Sequence, residues 1–331
     1  MSRTAILGWA ACSLALSCAA REIQFGGPVT GLVYDGPSKS LRWFLGIPGA
    51  ARLGDAVASD LEWASVAPDG QRALLIHRGA LNTTTGDGQV TAVAGPVEPP
   101  QLACWASNST AVVYSASKRT LQWIRFGAGG AIADTAISLA GVDGTIVNLA
   151  ADAASSLAVV AVAGSGAYRV TAAEGPAQLL TATDVAALTL EPGGQTLWVA
   201  DRGNTQLVEI ANPASDATPR TLIAAPDKLA GLAGIALSSD RKTLYLVTGT
   251  ARQLYQWDRA SATLSDAVAL EADAGSIVPL GPFLFLLGVR HQAQDPLYLF
   301  QQGPNPGVFF VPAPAGNEVG TELPHRKRLA P

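Results

Sequence analysis

The chain is 331 residues long, 48% hydrophobic and 15% charged, with a formal net charge of −4. That apolar content excludes a disordered polymer. The acidic balance excludes a nucleic-acid surface, which needs a cationic face to replace phosphate counterions.

Residues 1–20 read as an address. Arg3 precedes an apolar run from Thr4 to Ser17, and a run of about 14 residues is too short to cross a bilayer but fits a secretory signal. Small residues at 17–20 supply cleavage sites, so the expected mature chain starts near Ala20 or Arg21. Cys18 follows the small Ser17, as at the lipid-attachment site of bacterial lipoproteins. Its flanking Leu14 and Leu16 stand one position off the usual pattern. The expectation is export to the periplasm or outside the cell, with Cys18 the lipid-attachment candidate. Cys12 and Cys18 fall in this segment, which leaves Cys104 with no partner for an internal disulfide. No apolar run long enough for a transmembrane helix follows.

From Glu22 to Val57 the pieces EIQF, GLVYD, LRWFLGIP and AARLGDAV amount to one irregular four-strand unit. Six clearer copies follow, beginning at Glu62, Leu102, Ile146, Val185, Gly231 and Ser276. Each opens with an apolar strand, a polar turn and a second apolar strand. The second strands align on Leu74, Val112, Val159, Leu197, Leu244 and Leu284, a recurrence of 38–47 residues. Four short strands at such a period are the signature of an all-β propeller. A lone sheet cannot bury both faces, whereas a ring of sheets stacks face on face and leaves few free edges. The expected architecture is seven four-stranded blades, Glu22–Val57 being the atypical one. The alternative is six blades, with that segment supplying outer strands that fasten the ring. The expected division is a signal at 1–20, a single propeller at 21–311 and a Pro-rich, basic tail at 312–331.

VADRGNTQLVEI, from Val199, resembles the second-to-third-strand hairpin of NHL-type and YVTN-type bacterial propeller repeats. LSSDRKTLYLVTG and VAPDGQRALLIHRG resemble the first turn of the YVTN type. The resemblance implies a propeller fold and the usual role of such rings as binding platforms. It implies no reaction, because propellers host enzymes and scaffolds alike.

Chemistry-bearing motifs are scarce: CxxC, HExxH, GxxxxGK[ST], GxSxG and GxGxxG are all absent. Three histidines occur, and His77 and His291 each follow a second strand, where two surface turns are a simpler reading than a shared metal site. Lactonase-like propellers hold Ca²⁺ or Mg²⁺ on Glu, Asn and Asp at the channel, ligands that suit hard cations. Here Glu62, Asn108, Asn148, Asp152, Glu191 and Asp240 lie on or beside first strands. Four of them fall at the first turn, where Asp and Asn cap the backbone, which leaves Glu62 and Asn148 to face the channel. Trp63 and Trp105 take matching places on neighbouring first strands, where they either line a ligand mouth or pack between blades. Trp43, Trp123, Trp198 and Trp257 read as packing. Cys104 reads as a buried thiol.

These residues point to a monomeric, non-catalytic platform, free of cofactors, that binds a protein, peptide or cell-envelope ligand through Trp63, Trp105, Glu62 and Asn148. The alternative is a metal-assisted hydrolase or lyase with carboxylates around a channel ion.

Overall fold

A computed structural model describes residues 29–303 and 306–314. The proposed signal, Cys18 and most of the tail lie outside the described residues.

Seven antiparallel sheets form a seven-bladed ring. Blade 1 contains β1 (Val29–Asp35), β2 (Ser40–Leu45) and β3 (Arg52–Ala58). Blade 2 contains β4 (Leu61–Val66), β5 (Arg72–His77), β6 (Ala80–Thr85) and β7 (Val90–Ala92). Blade 3 contains β8 (Leu102–Ser107), β9 (Thr110–Ser115), β10 (Thr120–Gly127) and β11 (Gly130–Ala133), with β12 (Ile137–Ser138) also on β10. Blade 4 contains β13 (Ile146–Asp152), β14 (Leu157–Val162), β15 (Gly166–Thr171) and β16 (Gly175–Thr181). Blade 5 contains β17 (Val185–Leu190), β18 (Thr196–Asp201), β19 (Gln206–Ala211) and β20 (Thr218–Ala224). After a single helical turn, α1 (Pro226–Leu229), blade 6 contains β21 (Leu232–Leu237), β22 (Thr243–Thr248), β23 (Gln253–Asp258) and β24 (Thr263–Leu264), with β25 (Val268–Ala269) also on β23. Blade 7 contains β26 (Ile277–Pro279), β27 (Leu284–Leu287), β28 (Leu297–Gln301) and β29 (Gly307–Val311).

Alternating side chains explain the stacking. In β14, Leu157, Val159 and Ala161 enter the core shared with blade 5, and Ala158, Val160 and Val162 enter the core shared with blade 3. This period of two is the pleat of a strand buried on both faces. There is one such core at each of the seven blade interfaces, the last joining Val33, Phe44 and Leu53 of blade 1 to Leu284, Leu297 and Leu299 of blade 7. The first turns of blades 2, 5 and 6 begin at Ala67, Glu191 and Ser238 and run through Pro68-Asp69-Gly70, Pro192-Gly193-Gly194 and Ser239-Asp240-Arg241, turn-forming residues between two apolar strands.

Blade 1 differs from expectation. Its β1–β2 turn, Gly36 to Lys39, has Lys39 at φ 46°, like Arg119 at 51° between β9 and β10. YDGPSKSLRW is the same hairpin as YSASKRTLQW. β1 also packs on β4 as β14 packs on β17. It is therefore equivalent to a second strand, and among the described residues blade 1 has no innermost one. Its neighbours meet beneath it, Gly281 N of blade 7 donating to Pro68 O of blade 2 at 2.7 Å, and β1 itself joins blade 2 through Leu32 N to Gly70 O at 2.7 Å. A Cβ on Gly31 would stand 3.0 Å from the Gly70 Cα, so this approach needs glycine. Seven blades are present, as expected, and the six-blade alternative is set aside because β1, β2 and β3 form a sheet of their own.

A buried ion pair completes the junction. Arg290 donates to Asp35 Oδ1 at 2.6 Å, with the two side chains 2% and 1% exposed. Arg290 also donates to the carbonyls of Asp295 and Ala293, and Ser38 donates to the other Asp35 oxygen. Removing one partner of a buried pair strands the other charge, at a cost of about 3–5 kcal/mol. Asp35→Ala is expected to lower the unfolding free energy by that amount in urea titrations, and Asp35→Leu with Arg290→Leu to restore most of it. A loss below about 1 kcal/mol for Asp35→Ala would show that the apolar core alone closes the ring.

Candidate functional site

Inner strands β4, β8, β13, β17, β21 and β26 surround the channel among the described residues. Their side chains alternate into the cores on either side, so the channel is walled largely by backbone and small residues. In β4, β13, β17 and β21 the register skips one residue near the start, leaving Glu62, Val147, Ala186 and Ala233 as bulged positions. The face carrying the second-to-third-strand turns is the upper face, and the first turns mark the lower one. A cavity of about 660 Å³ opens on the upper face and one of about 630 Å³ on the lower, and both touch Ala186, Ala233 and Gly275.

The upper mouth is charged but internally neutralised. Arg202 holds Asp184 by two bonds, 2.6 and 2.9 Å, and Arg252 holds Asp273 at 2.7 Å. Arg119 donates to the carbonyls of Val142 and Gly144. Such exposed pairs contribute about 0–1 kcal/mol each. They order the loops around the opening.

The lower cavity is apolar. Val66, Pro68, Leu149, Ala187, Leu190, Ile235 and Phe285 contribute to its lining, along with Ser65, Cys104, Trp105, Asn148 and Arg241. Val278 on its wall is 45% exposed, and Phe283 in the adjoining turn is 60% exposed.

Of the four predicted ligand residues, the structure brings two to this cavity. Trp105 lines it, stacked on Phe126 with ring centroids 5.2 Å apart and its Nε1 donating to Ser65 Oγ at 3.1 Å. Asn148 lines it too, but its Nδ2 donates to Ala186 O at 3.2 Å and its Oδ1 accepts from Leu149 N, a staple between β13 and β17. Trp63 packs into the core between blades 2 and 3. Glu62 is exposed on the upper side, its Oε1 accepting from Gly79 N at 2.7 Å.

The remaining carboxylates are held by turns. Asp152 accepts from Ser155 N and Oγ, and its other oxygen accepts from Gly193 N of blade 5 at 2.9 Å. Glu191 pairs with Arg259, whose guanidinium lies 4.7 Å over the Trp198 ring. Asp240 accepts from Ser238 Oγ and Lys242 N, bonds that hold its carboxyl below the usual range. Asn108 sits in the exposed β8–β9 turn. Among the described residues no group of three or more His, Cys, Asp or Glu could hold a metal ion, His77 and His291 included.

Arg241 escaped the sequence reading, although a signal was there. It stands at φ 61° where the equivalent turns of blades 2 and 5 have Gly70 and Gly194, at 70° and 69°.

Cys104 also lines the lower cavity. Desolvation pushes its thiol up to about 11, against a smaller opposing effect of the Ala151 backbone. At pH 8 the native thiol therefore stays protonated. Peptide-resolved alkylation by iodoacetamide is expected to run about a hundredfold slower in the native protein than in urea. Equal rates would place Cys104 in solvent.

No protein-family model matches the chain, and no curated protein matches it by sequence. Among solved structures it is similar to a candidate 6-phosphogluconolactonase from Bacteroides fragilis NCTC 9343. The TM-score is 0.58 at 13% identity, over 86% of this chain and 95% of the other. At that identity the likeness establishes the propeller fold.

Proposed function

We propose that the protein is a non-catalytic binding platform whose channel seats its ligand. One observation carries this reading: among the described residues, the ionisable ones lining the lower cavity are Cys104 and Arg241 alone. Acid–base work needs a group that titrates near the operating pH, and burial holds Cys104 well above it. Arginine stays charged throughout. An apolar wall with a few polar groups is the lining of a binding pocket.

The structural neighbour motivates the competing reading, metal-assisted opening of a lactone. Against it stands the engagement of Glu62, Asp152, Glu191 and Asp240 by their own turns and neighbouring residues, since hard-cation sites need several oxygens converging on one point. Thermal melting with millimolar Ca²⁺, Mg²⁺ or Zn²⁺ decides between the two, because an ion that binds only the folded state raises the midpoint. The expected outcome is an unchanged midpoint, with 6-phosphogluconolactone hydrolysing at its spontaneous rate. A rise of several degrees with one ion, lost in Glu62→Ala, together with 6-phosphogluconolactone hydrolysis above its spontaneous rate, would establish the hydrolase instead.

Export belongs to the same proposal, supported by the charge and apolar pattern of residues 1–20. Expressed in a bacterial host, the chain is expected to lose about 20 residues by intact mass, as signal cleavage requires, and to leave the cytoplasm. Lipid attachment would instead give a membrane fraction released by Cys18→Ser. Uncut protein in the cytoplasm would refute export.

A further inference from the structure

We propose that the ligand of the lower cavity is an amphiphilic monoanion: an apolar chain that enters the channel and a carboxylate that stops at Arg241. This rests on the channel being a binding site and adds the chemical class of what it binds.

The distribution of charge around the lower mouth supports the assignment. Each acidic residue of the first turns is already engaged: Asp69 by Gln71 N, Asp152 by Ser155 and Gly193, Glu191 by Arg259, and Asp240 by Ser238 and Lys242. The Arg241 guanidinium makes no hydrogen bond or ion pair with any described residue, and only its backbone groups are used. Among the described residues Arg241 is also the one permanently charged residue lining the cavity. It equally lines an outer hollow of about 500 Å³, which holds Lys242, Arg259 and an Arg220 paired with Glu209.

The backbone shows that the turn itself does not call for an arginine. Arg241 occupies a left-handed position that glycine fills in the corresponding turns of blades 2 and 5. A side chain there carries a conformational cost that glycine avoids. The turn itself is closed in the same way in all three blades, by Gly70 N to Ala67 O, Gly194 N to Glu191 O and Arg241 N to Ser238 O. The turn therefore closes without an arginine, and the exposed guanidinium of Arg241 is free to meet a ligand at the mouth.

The body of the ligand follows from the walls. The lower cavity is lined mainly by alanine, leucine, isoleucine, valine and proline from six blades, with Ser65, Asn148, Thr189 and Ser238 among its polar groups, and Val278 on its wall is exposed. A cation would meet Arg241 with repulsion. A small inorganic anion would leave the apolar wall in contact with water. A chain with one terminal carboxylate satisfies both parts, since carboxylate accepts two parallel bonds from guanidinium.

Calorimetric titration of the full chain with decanoate, 1-decanol, decyltrimethylammonium and inorganic phosphate tests this. Saturable binding of decanoate is expected, with decanol weaker and the cation and phosphate undetected. Arg241→Gly, which places in this turn the residue used by its counterparts, is expected to weaken decanoate about tenfold, the loss of one charge-assisted contact, and to leave decanol unchanged. Arg241→Lys restores part of the affinity. Ala186→Trp, at the neck shared by both cavities, blocks decanoate and decanol together while the melting curve is retained. If decanoate and decanol bind equally, or Arg241→Gly changes neither, the anion assignment is wrong and channel binding still holds. If no apolar probe binds, the binding reading of the channel falls with it.

Discussion

A four-stranded sheet that is apolar on both faces needs a neighbour on each side, and this requirement organises the whole molecule. It produces seven separate cores at the blade interfaces, with residues of one strand shared between two of them. It also leaves the inner edges facing one another across a channel walled by small side chains and backbone. The same rule creates the difficulty at blades 1 and 7, which must find each other across the full length of the chain. An apolar cluster, the Asp35–Arg290 pair and the backbone contacts beneath β1 meet it together.

Polar residues are spent mainly on holding turns. Asp201 accepts from Asn204 N, Asn204 Nδ2 and Gln206 Nε2 at the end of β18, and Thr248 exchanges bonds with the Gln253 backbone at the end of β22. Asp35 occupies the same place at the end of β1 and does the same work with Ser38, while also receiving Arg290. Side chains that cap turns this closely have little capacity left for substrate. The lower cavity, by contrast, has a largely apolar wall, a thiol held protonated by burial and the Arg241 guanidinium, unpaired among the described residues.

The repeat was legible because each copy announces itself locally. Second strands are continuous apolar runs, and Pro–Asp–Gly and Pro–Gly–Gly turns precede those of blades 2 and 5, so six blades followed from spacing and the seventh from the strand-like pieces of Glu22–Val57. Blade 1 was harder to read. The strand-like pieces of Glu22–Val57 suggested four strands, whereas the pairing of β1, β2 and β3 follows from matching YDGPSKSLRW to YSASKRTLQW. The site was less legible for a physical reason. Whether a carboxylate faces the channel depends on partners far away in sequence, such as the Gly193 amide that engages Asp152 from 41 residues on. Asn148 was placed at the channel from its position on a first strand, but its bond to Ala186 joins two blades and no local pattern encodes it.

The contact between Arg290 and Asp35 spans 255 residues, and this has a consequence for synthesis. Blades 2 to 6 can stack in turn as the chain emerges, yet Val33, Phe44 and Leu53 have no cover until blade 7 exists. At the roughly 5–20 residues per second of translation, that apolar face waits on the order of ten to fifty seconds. For that interval the nascent protein is an open arc with an adhesive end. Its vulnerability to aggregation is set by the pace of the ribosome and by whatever shields blade 1 meanwhile, more than by the stability of the finished ring.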